Sequence, residues 1–219
     1  MIGLIAIVGA GGHAKCAYEC FYLQGQNVVG FFDDDYSKNR VEVINGVRVI
    51  GSPSDITKYN EIKALFIGIG DNRIRLDKYE HFKSQGYMFP STVHPRAHIS
   101  EFAKLGEGNF IMAMAVINPG SIVGKCCIIN TGSTVGHDCR LEDGVQIGPG
   151  VNLAGGSSLG EGVFVGIGAK VGPGVTVGPW AVVGAGAVVL DDLPGGVFAC
   201  GTPARIKLNK TLNIDNKKY

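Results

Sequence analysis

Charge of one dominant sign is the first thing this chain lacks. Its 20 lysines and arginines face 19 aspartates and glutamates, a formal net charge of +1, so no broad basic field gathers nucleic acid or an anionic membrane. Any anionic ligand must be held locally. Long apolar runs are missing too. Met1 to Val8 is apolar, but Gly9 to Gly12 interrupt it, leaving a segment too short to span a bilayer and without the basic start of a secretory signal. Cytoplasmic residence is expected, with no membrane and no nucleic acid among the partners. The six cysteines (Cys16, Cys20, Cys126, Cys127, Cys139 and Cys200) form no CxxC pair and no zinc spacing, which points to reduced thiols and no metal site.

Glycine is what the chain has in excess. Its 34 glycines crowd after residue 104 without a triplet period, the mark of a repeat of tight turns. Every sixth residue from Val93 to Val189 is Val, Ile or Leu, seventeen in succession. If such residues filled about three positions in ten, that run would arise by chance on the order of once in a billion. Glycine often follows, as at Gly106, Gly136 and Gly166, and the position four after the aliphatic is small or Val, as at Ala115, Ser133, Val151 and Ala187. Cys127 and Cys139 occupy that small position, where a thiol serves as a small hydrophobe. Each hexad therefore reads as one short strand and one corner, with a corner residue that tolerates unusual backbone angles. Three hexads close a triangular coil, and coils stacked at about 4.8 Å make a prism of five to six coils, roughly 27 Å tall. A β-sandwich would need loops of varying length, and this period absorbs no insertion.

Ahead of the repeat the pattern changes. Residues 2–8 read as a buried strand running into Gly9-Ala10-Gly11-Gly12-His13-Ala14 and a helix to about Leu23. Val28 to Phe32 is a second strand ending in Asp33-Asp34-Asp35. Ala64 to Ile69 is a third, followed by Gly70-Asp71-Asn72 and a helix from Arg73 to about Gln85. Strands alternating with helices imply a small parallel sheet: an α/β Rossmann-like domain over residues 1–90, an all-β prism over 91–207 and a tail over 208–219. The glycine-rich turn satisfies G-x-G-x-x-[GA], with acidic residues about twenty positions later. Bare glycine amides at a helix N-terminus accept phosphate oxygens, and a carboxylate after the second strand accepts hydroxyl or base donors. With about ninety residues and no second mononucleotide half, the domain fits a nucleotide-sugar diphosphate better than a dinucleotide. The alternative is a turn that serves packing alone.

Taken together, the opening strand with GAGGHAK, the FFDDD and IGIGDNRIR segments, the hexads and the closing GTPAR resemble the hexapeptide-repeat sugar acetyltransferases. That family includes the bacillosamine-pathway and perosamine N-acetyltransferases and sialic acid O-acetyltransferase. The resemblance implies a left-handed parallel β-helix, contrary to the general right-handed preference, in a homotrimer with active sites between neighbouring prisms. It also implies that the N-terminal domain holds a nucleotide-activated amino sugar and the prism holds acetyl-CoA as co-substrate. Motif by motif, it places Gly11, Gly12 and His13 at the diphosphate and sugar, Asp33 and Asp34 at the nucleoside, and Gly70, Asn72 and Arg75 along the same cleft. For the coenzyme it offers Gln146, Ile167 and Ala185, one per coil along a prism edge. Arg205 in the closing GTPAR is available to CoA phosphates, or belongs to a cap over the open end of the coil.

Five histidines are candidates for the chemistry. His81 sits on a polar helix and reads as a surface residue. His94 and His98 lie where the domains join, and no third histidine follows one coil away to complete a zinc site. His137, two positions after Val135 in Asn130-Thr131-Gly132-Ser133-Thr134-Val135-Gly136-His137-Asp138, matches the catalytic base of the resembled family. Histidine suits the role because its ordinary pKa, about 6.5, leaves it neutral yet basic near pH 7. Asp138, where the bacillosamine enzyme has Glu, would orient the imidazole, provided the chain bends at the corner, since neighbours on a flat strand face opposite ways. Asn130 is expected near the acceptor amine by the same match. Gly155, one coil beyond His137, is expected to offer its amide to the oxyanion of the docked thioester. The implied reaction is direct N-acetylation of the 4-amino group of a UDP-linked sugar in bacterial glycan assembly. The alternatives are GDP-perosamine-type N-acetylation, O-acetylation of sialic acid, and a non-catalytic trimeric nucleotide-sugar scaffold.

Overall fold

In the computed structural model, which describes residues 3–36, 43–44 and 46–207, a parallel sheet is built first. Its elements are β1 (Leu4–Val8), α1 (Gly12–Leu23), β2 (Val28–Phe32), β3 (Val43–Ile44), β4 (Val47–Gly51), β5 (Ile62–Ile67) and α2 (Asn72–Lys83). The strand order is β3-β4-β2-β1-β5, parallel throughout except for the β3–β4 hairpin. Covered on both faces, β1 is fully apolar, and Ile5 to Val8 are completely buried. The third expected strand begins earlier and stops at Ile67. The chain must leave the sheet at Gly68, where a Cβ would lie 2.8 Å from Ile7 Cγ2 and 2.9 Å from Ala14 Cα. The β3–β4 hairpin and the 3₁₀ turn Pro53–Lys58 were not anticipated; both are too short to carry a period. The tail over 208–219 lies outside the described residues.

The hexads behave as one object. Each of the seventeen aliphatics closes a two-residue strand, from Thr92–Val93 to Val188–Val189, and each strand pairs in parallel with the equivalent strand of the next coil, as Val116↔Thr134 and Ile117↔Val135 do. Three flat faces result. Outward positions of the first face are Thr92, Phe110, Ile128, Gln146, Phe164 and Val182; of the second, His98, Val116, Thr134, Asn152, Lys170 and Val188; of the third, Lys104, Ile122, Arg140, Ser158 and Thr176. The aliphatics fill the axis, where burial of each contributes about 1.5–3 kcal/mol, and the small residues four positions later line the corners around them. Cys127 is one of these, and burial pushes its thiol up to about 12, so it packs and does not react.

The glycines divide into two classes that the sequence pattern merged. Those directly after the aliphatic have ordinary φ but face the next coil at close range: a Cβ on Gly136 would sit 2.6 Å from Gly155 N. The left-handed corner comes two residues later, where φ lies between 54° and 76° at every such position from Gly108 to Gly186. Four of these corner residues carry side chains: Met114, Cys126, Asp138 and Trp180.

The N-terminal domain is set directly on this prism. Helix α1 lies over the first face, where Phe110 and Ile128 complete a core with Ala14, Ala17, Phe21 and Phe66. The Phe66 and Phe110 rings meet edge to face at 5.8 Å, and Thr92 Oγ1 donates to Gln24 Oε1 at 3.2 Å near the end of α1. Helix α2 follows the corner between the third and first faces. There Leu76 occupies the space that a Cβ on Gly144 would fill, and the Arg73 guanidinium stacks over Trp180 at 4.1 Å. At the far end, Phe198–Cys200 and Arg205–Ile206 pair antiparallel, and Ala204 N donates to Val188 O at 2.7 Å, closing the last coil. No described helix is long and apolar enough to cross a membrane.

Because the axis is a single continuous core, truncating one rung leaves a cavity that its neighbours cannot collapse into. Ile147, fully buried, changed to Ala is expected to cost about 2–5 kcal/mol in chemical denaturation. A loss below about 1 kcal/mol would contradict this packing.

Candidate active site

His137 stands on the edge between the second and third faces, with a side chain 72% exposed. Its neighbour Asp138 takes the left-handed corner angle, φ 57°, a conformation that Asp tolerates better than most residues. That bend brings the two side chains to one side, as the expected pairing requires: His137 Nδ1 and Asp138 Oδ2 are 2.8 Å apart. A carboxylate only accepts, so the neutral ring carries its proton on Nδ1 and its lone pair on Nε2. Gly120 clears room for the carboxylate, since a Cβ there would collide with Asp138 Oδ1. Gly155 does the same for the ring: a Cβ on it would collide with His137 Nε2. Gly156 N donates to His137 O at 2.8 Å, and the amide of Gly155 has no partner among the described residues. The edge thus presents a lone pair beside an open N–H donor.

A second site lies at the carboxyl ends of β1, β2 and β5, a cleft of about 270 Å³. Of the eight residues expected there, it is lined by Gly11, Gly12, His13, Asp33, Asp34 and Gly70. Helix α1 begins at Gly12, with Gly11 as its N-cap, no side-chain cap and no acidic residue in its first turn, so its first amides are left unsatisfied at the cleft. Asp33 clamps the floor: Oδ2 accepts from Ala10 N at 2.7 Å and Oδ1 from Asp35 N at 2.9 Å. Asp34 meets Lys78 at 3.2 Å. His13 packs on Gly70, where a Cβ would lie 2.7 Å from its Cδ2, and burial, then the charge of Arg75, lowers its pKa. The lining also includes Pro53, Gly68 and Ile69. Gly68 sits in the IGIGDN run and was legible there; Pro53 carried no signal.

Three expected placements, those of Asn72, Arg75 and Gln146, need correction. Asn72 and Arg75 do not line the cleft; both are drawn into the seam between the domains. Asn72 Nδ2 donates to Gly162 O at 3.0 Å and Val163 O at 3.3 Å. Arg75, 2% exposed, donates to Cys126 O, Ile69 O, Gly70 O, Gly144 O and Asn72 Oδ1, at 2.8–3.1 Å. Burial lowers its pKa to about 10, so it stays charged at neutral pH. Gln146 does not share an edge with Ile167 and Ala185. It immediately precedes its aliphatic and so lies on the first face, whereas the other two follow theirs by two positions and lie on the corner between the first and second faces. It is buried, with no partner for Oε1 among the described residues. Asn130 lies at that same corner, one strand away from His137, and its Oδ1 accepts from Thr131 N at 2.8 Å. Arg205 lies in the closing strand pair with Cys200, and its exposed head is 3.9 Å from Asp191.

Among the described residues no group of three His, Cys, Asp or Glu is placed to hold a metal ion. The sequence matches the PglD N-terminal domain family over residues 4–82 and the bacterial transferase hexapeptide family over residues 102–137 and 156–191. The structure is similar to a point mutant of perosamine N-acetyltransferase from Caulobacter crescentus in complex with CoA and GDP-perosamine, with 41% identity, TM-score 0.91, and coverage of 95% of this chain and 99% of that one. It is also similar to the acetyltransferase domain of PglB from Neisseria gonorrhoeae in complex with acetyl coenzyme A, with 35% identity, TM-score 0.88, and coverage of 94% and 100%. UDP-N-acetylbacillosamine N-acetyltransferase of Bacillus subtilis is 36% identical over 114 residues, 50% of this chain and 51% of the relative. The chain spans about half or less of the curated relatives it matches, 21% in the case of an uncharacterized mimivirus protein. The β-helix is left-handed, as in these neighbours.

The depressed pKa of His13 has a measurable sign. A group whose pKa falls on folding contributes its full stability above its unfolded value, about 6.5, and loses it as the pH falls toward the folded value. An NMR titration of the free protein should place the His13 midpoint below about 6.5; a midpoint above it would contradict the burial of this ring.

Proposed function

The chain belongs to the hexapeptide-repeat sugar N-acetyltransferases that carry a PglD N-terminal domain, and from that premise we propose that it transfers the acetyl group of acetyl-CoA to the amino nitrogen of a nucleotide-linked amino sugar. The observation that carries this reading is that Gly155, whose amide has no partner among the described residues, lies against the His137 ring on one exposed edge. As the sugar amine attacks the thioester carbonyl, Nε2 removes its proton and the Gly155 N–H receives the oxyanion. The C–N bond forms, the C–S bond breaks, and the imidazolium returns its proton to the departing sulfur. Asp138 holds the tautomer and stabilises the imidazolium through the 2.8 Å contact. Residues 1–90 hold the nucleotide sugar and residues 91–207 the coenzyme.

A GDP-linked, perosamine-type sugar leads, reversing the order in which the sequence alone ranks the nucleotides. Support comes from extent of likeness: the relative bound to GDP-perosamine aligns with 95% of this chain, the UDP-N-acetylbacillosamine relative with 50%. Both are named as N-acetyltransferases, which favours an amine over a hydroxyl acceptor.

The protein acts as a trimer. In one chain the parts lie on different edges: His137 and Gly155 between the second and third faces, Asn130, Ile167 and Ala185 between the first and second, and the cleft at the domain that covers the first face. No bend of a rigid prism unites them. Threefold packing sets one edge of a prism against the next edge of its neighbour and makes the parts converge.

His137→Ala should lower turnover at least about a hundredfold in an assay of CoA thiol release; a near-normal rate would reassign the base. Gly155→Ala should lower turnover at least about tenfold with little change in thermal midpoint, because the added methyl meets only an exposed ring. Light scattering in solution should return the mass of three chains, and a fully active monomer would sink the shared-site arrangement.

A further inference from the structure

A diphosphate entering the cleft would meet a lining with three carboxylates, Asp33, Asp34 and Asp35, and no lysine or arginine; Lys78, outside the lining, pairs with Asp34 alone of the three. Its imidazole, His13, is held toward the neutral form. Yet directly beneath Gly70, in the cleft floor, lies a guanidinium whose Nη1 donates to Gly70 O at 3.0 Å and Ile69 O at 3.1 Å. All five of its N–H donors are engaged, four by main-chain carbonyls and one by an asparagine oxygen, and no carboxylate lies within ion-pair distance of it among the described residues. Burying a cation with its hydrogen bonds satisfied but no direct ion pair, only the more distant charge of Asp71 favouring it, is costly. Domain docking alone does not need the charge, because neutral donors would bridge the same carbonyls.

We propose that Arg75 is the positioning residue of the diphosphate site: from beneath Gly70 its buried guanidinium gives the acidic cleft a fixed positive charge and ties the cleft floor to the prism at Cys126 and Gly144. It acts through Gly70 and His13 and does not touch the ligand. The inference rests on reading the cleft as a nucleotide-sugar site. It explains how a cleft rich in carboxylates accepts an anion. The open amides of α1 supply the contacts, and the cation below offsets the carboxylates at short range in a poorly screened interior.

The test compares binding of GDP and of uncharged guanosine to the full-length protein by calorimetry. Arg75→Met should weaken GDP at least about tenfold while guanosine and the KM for acetyl-CoA change less than about twofold. Arg75→Lys, which keeps the charge and forfeits part of the hydrogen-bonding fork, should hold GDP within about threefold of the unaltered protein. A purely structural rivet predicts equal losses for both ligands, and that result, or a Lys variant as weak as the Met variant, would overturn the proposal. Should Arg75→Met not fold, the unaltered protein decides: the Arg75 Nε–H resonance should move on adding GDP and stay put with guanosine, and an unmoved resonance overturns it. Failure of the unaltered protein to bind GDP or UDP would sink the cleft reading and this inference together, whereas normal GDP binding by both variants would sink this inference alone.

Discussion

Each coil of the prism must return to within one strand spacing of the coil before it, and that return places the His137–Asp138 edge and the face on which the N-terminal domain sits. The requirement converts position in a hexad into position on a face or an edge. It explains why the seventeen aliphatics admit no exception and why glycine recurs where one main chain passes against another. It also sets the geometry of the edge. Gly155 lies under His137 because one follows the other by a single coil, and Asp138 turns back beside the ring because the corner position demands a left-handed residue.

The same register shows where sequence reasoning succeeded and where it stopped. The prism, three of the five strands and both helices before it, the His137–Asp138 contact and six cleft residues were all legible. Each depends on local spacing or on a turn whose backbone needs particular residues. Gln146 was misplaced even though the period alone assigns it to a face: a position carried over from relatives was given precedence over its place in the hexad. Asn72 and Arg75 failed for another reason. A polar residue just after a strand is commonly a ligand contact, and nothing local announces that a second domain will cover it. The two classes of glycine, one for φ and one for close approach, became separable only with the coils stacked.

The two sites stabilise charge differently, and the difference follows from their surroundings. The prism edge is exposed, and in the proposed reaction it would use a donor fixed by the main chain and a base oriented by a neighbouring carboxylate. The cleft is partly enclosed, and a side-chain cation at its rim is taken up by the carboxylates, as Lys78 is by Asp34. Placing the cation below the floor, with every donor engaged, keeps it apart from those carboxylates.

The seat of α1 on the first face has an evolutionary corollary. Because Phe110 and Ile128 belong to the core that contains Phe21 and Phe66, the N-terminal domain has no complete interior of its own. Exchange of that half among related proteins must carry the matching outward column of the prism with it. Acceptor range in this architecture therefore diversifies through the loops at the strand ends, which are free to vary, more readily than through wholesale domain shuffling.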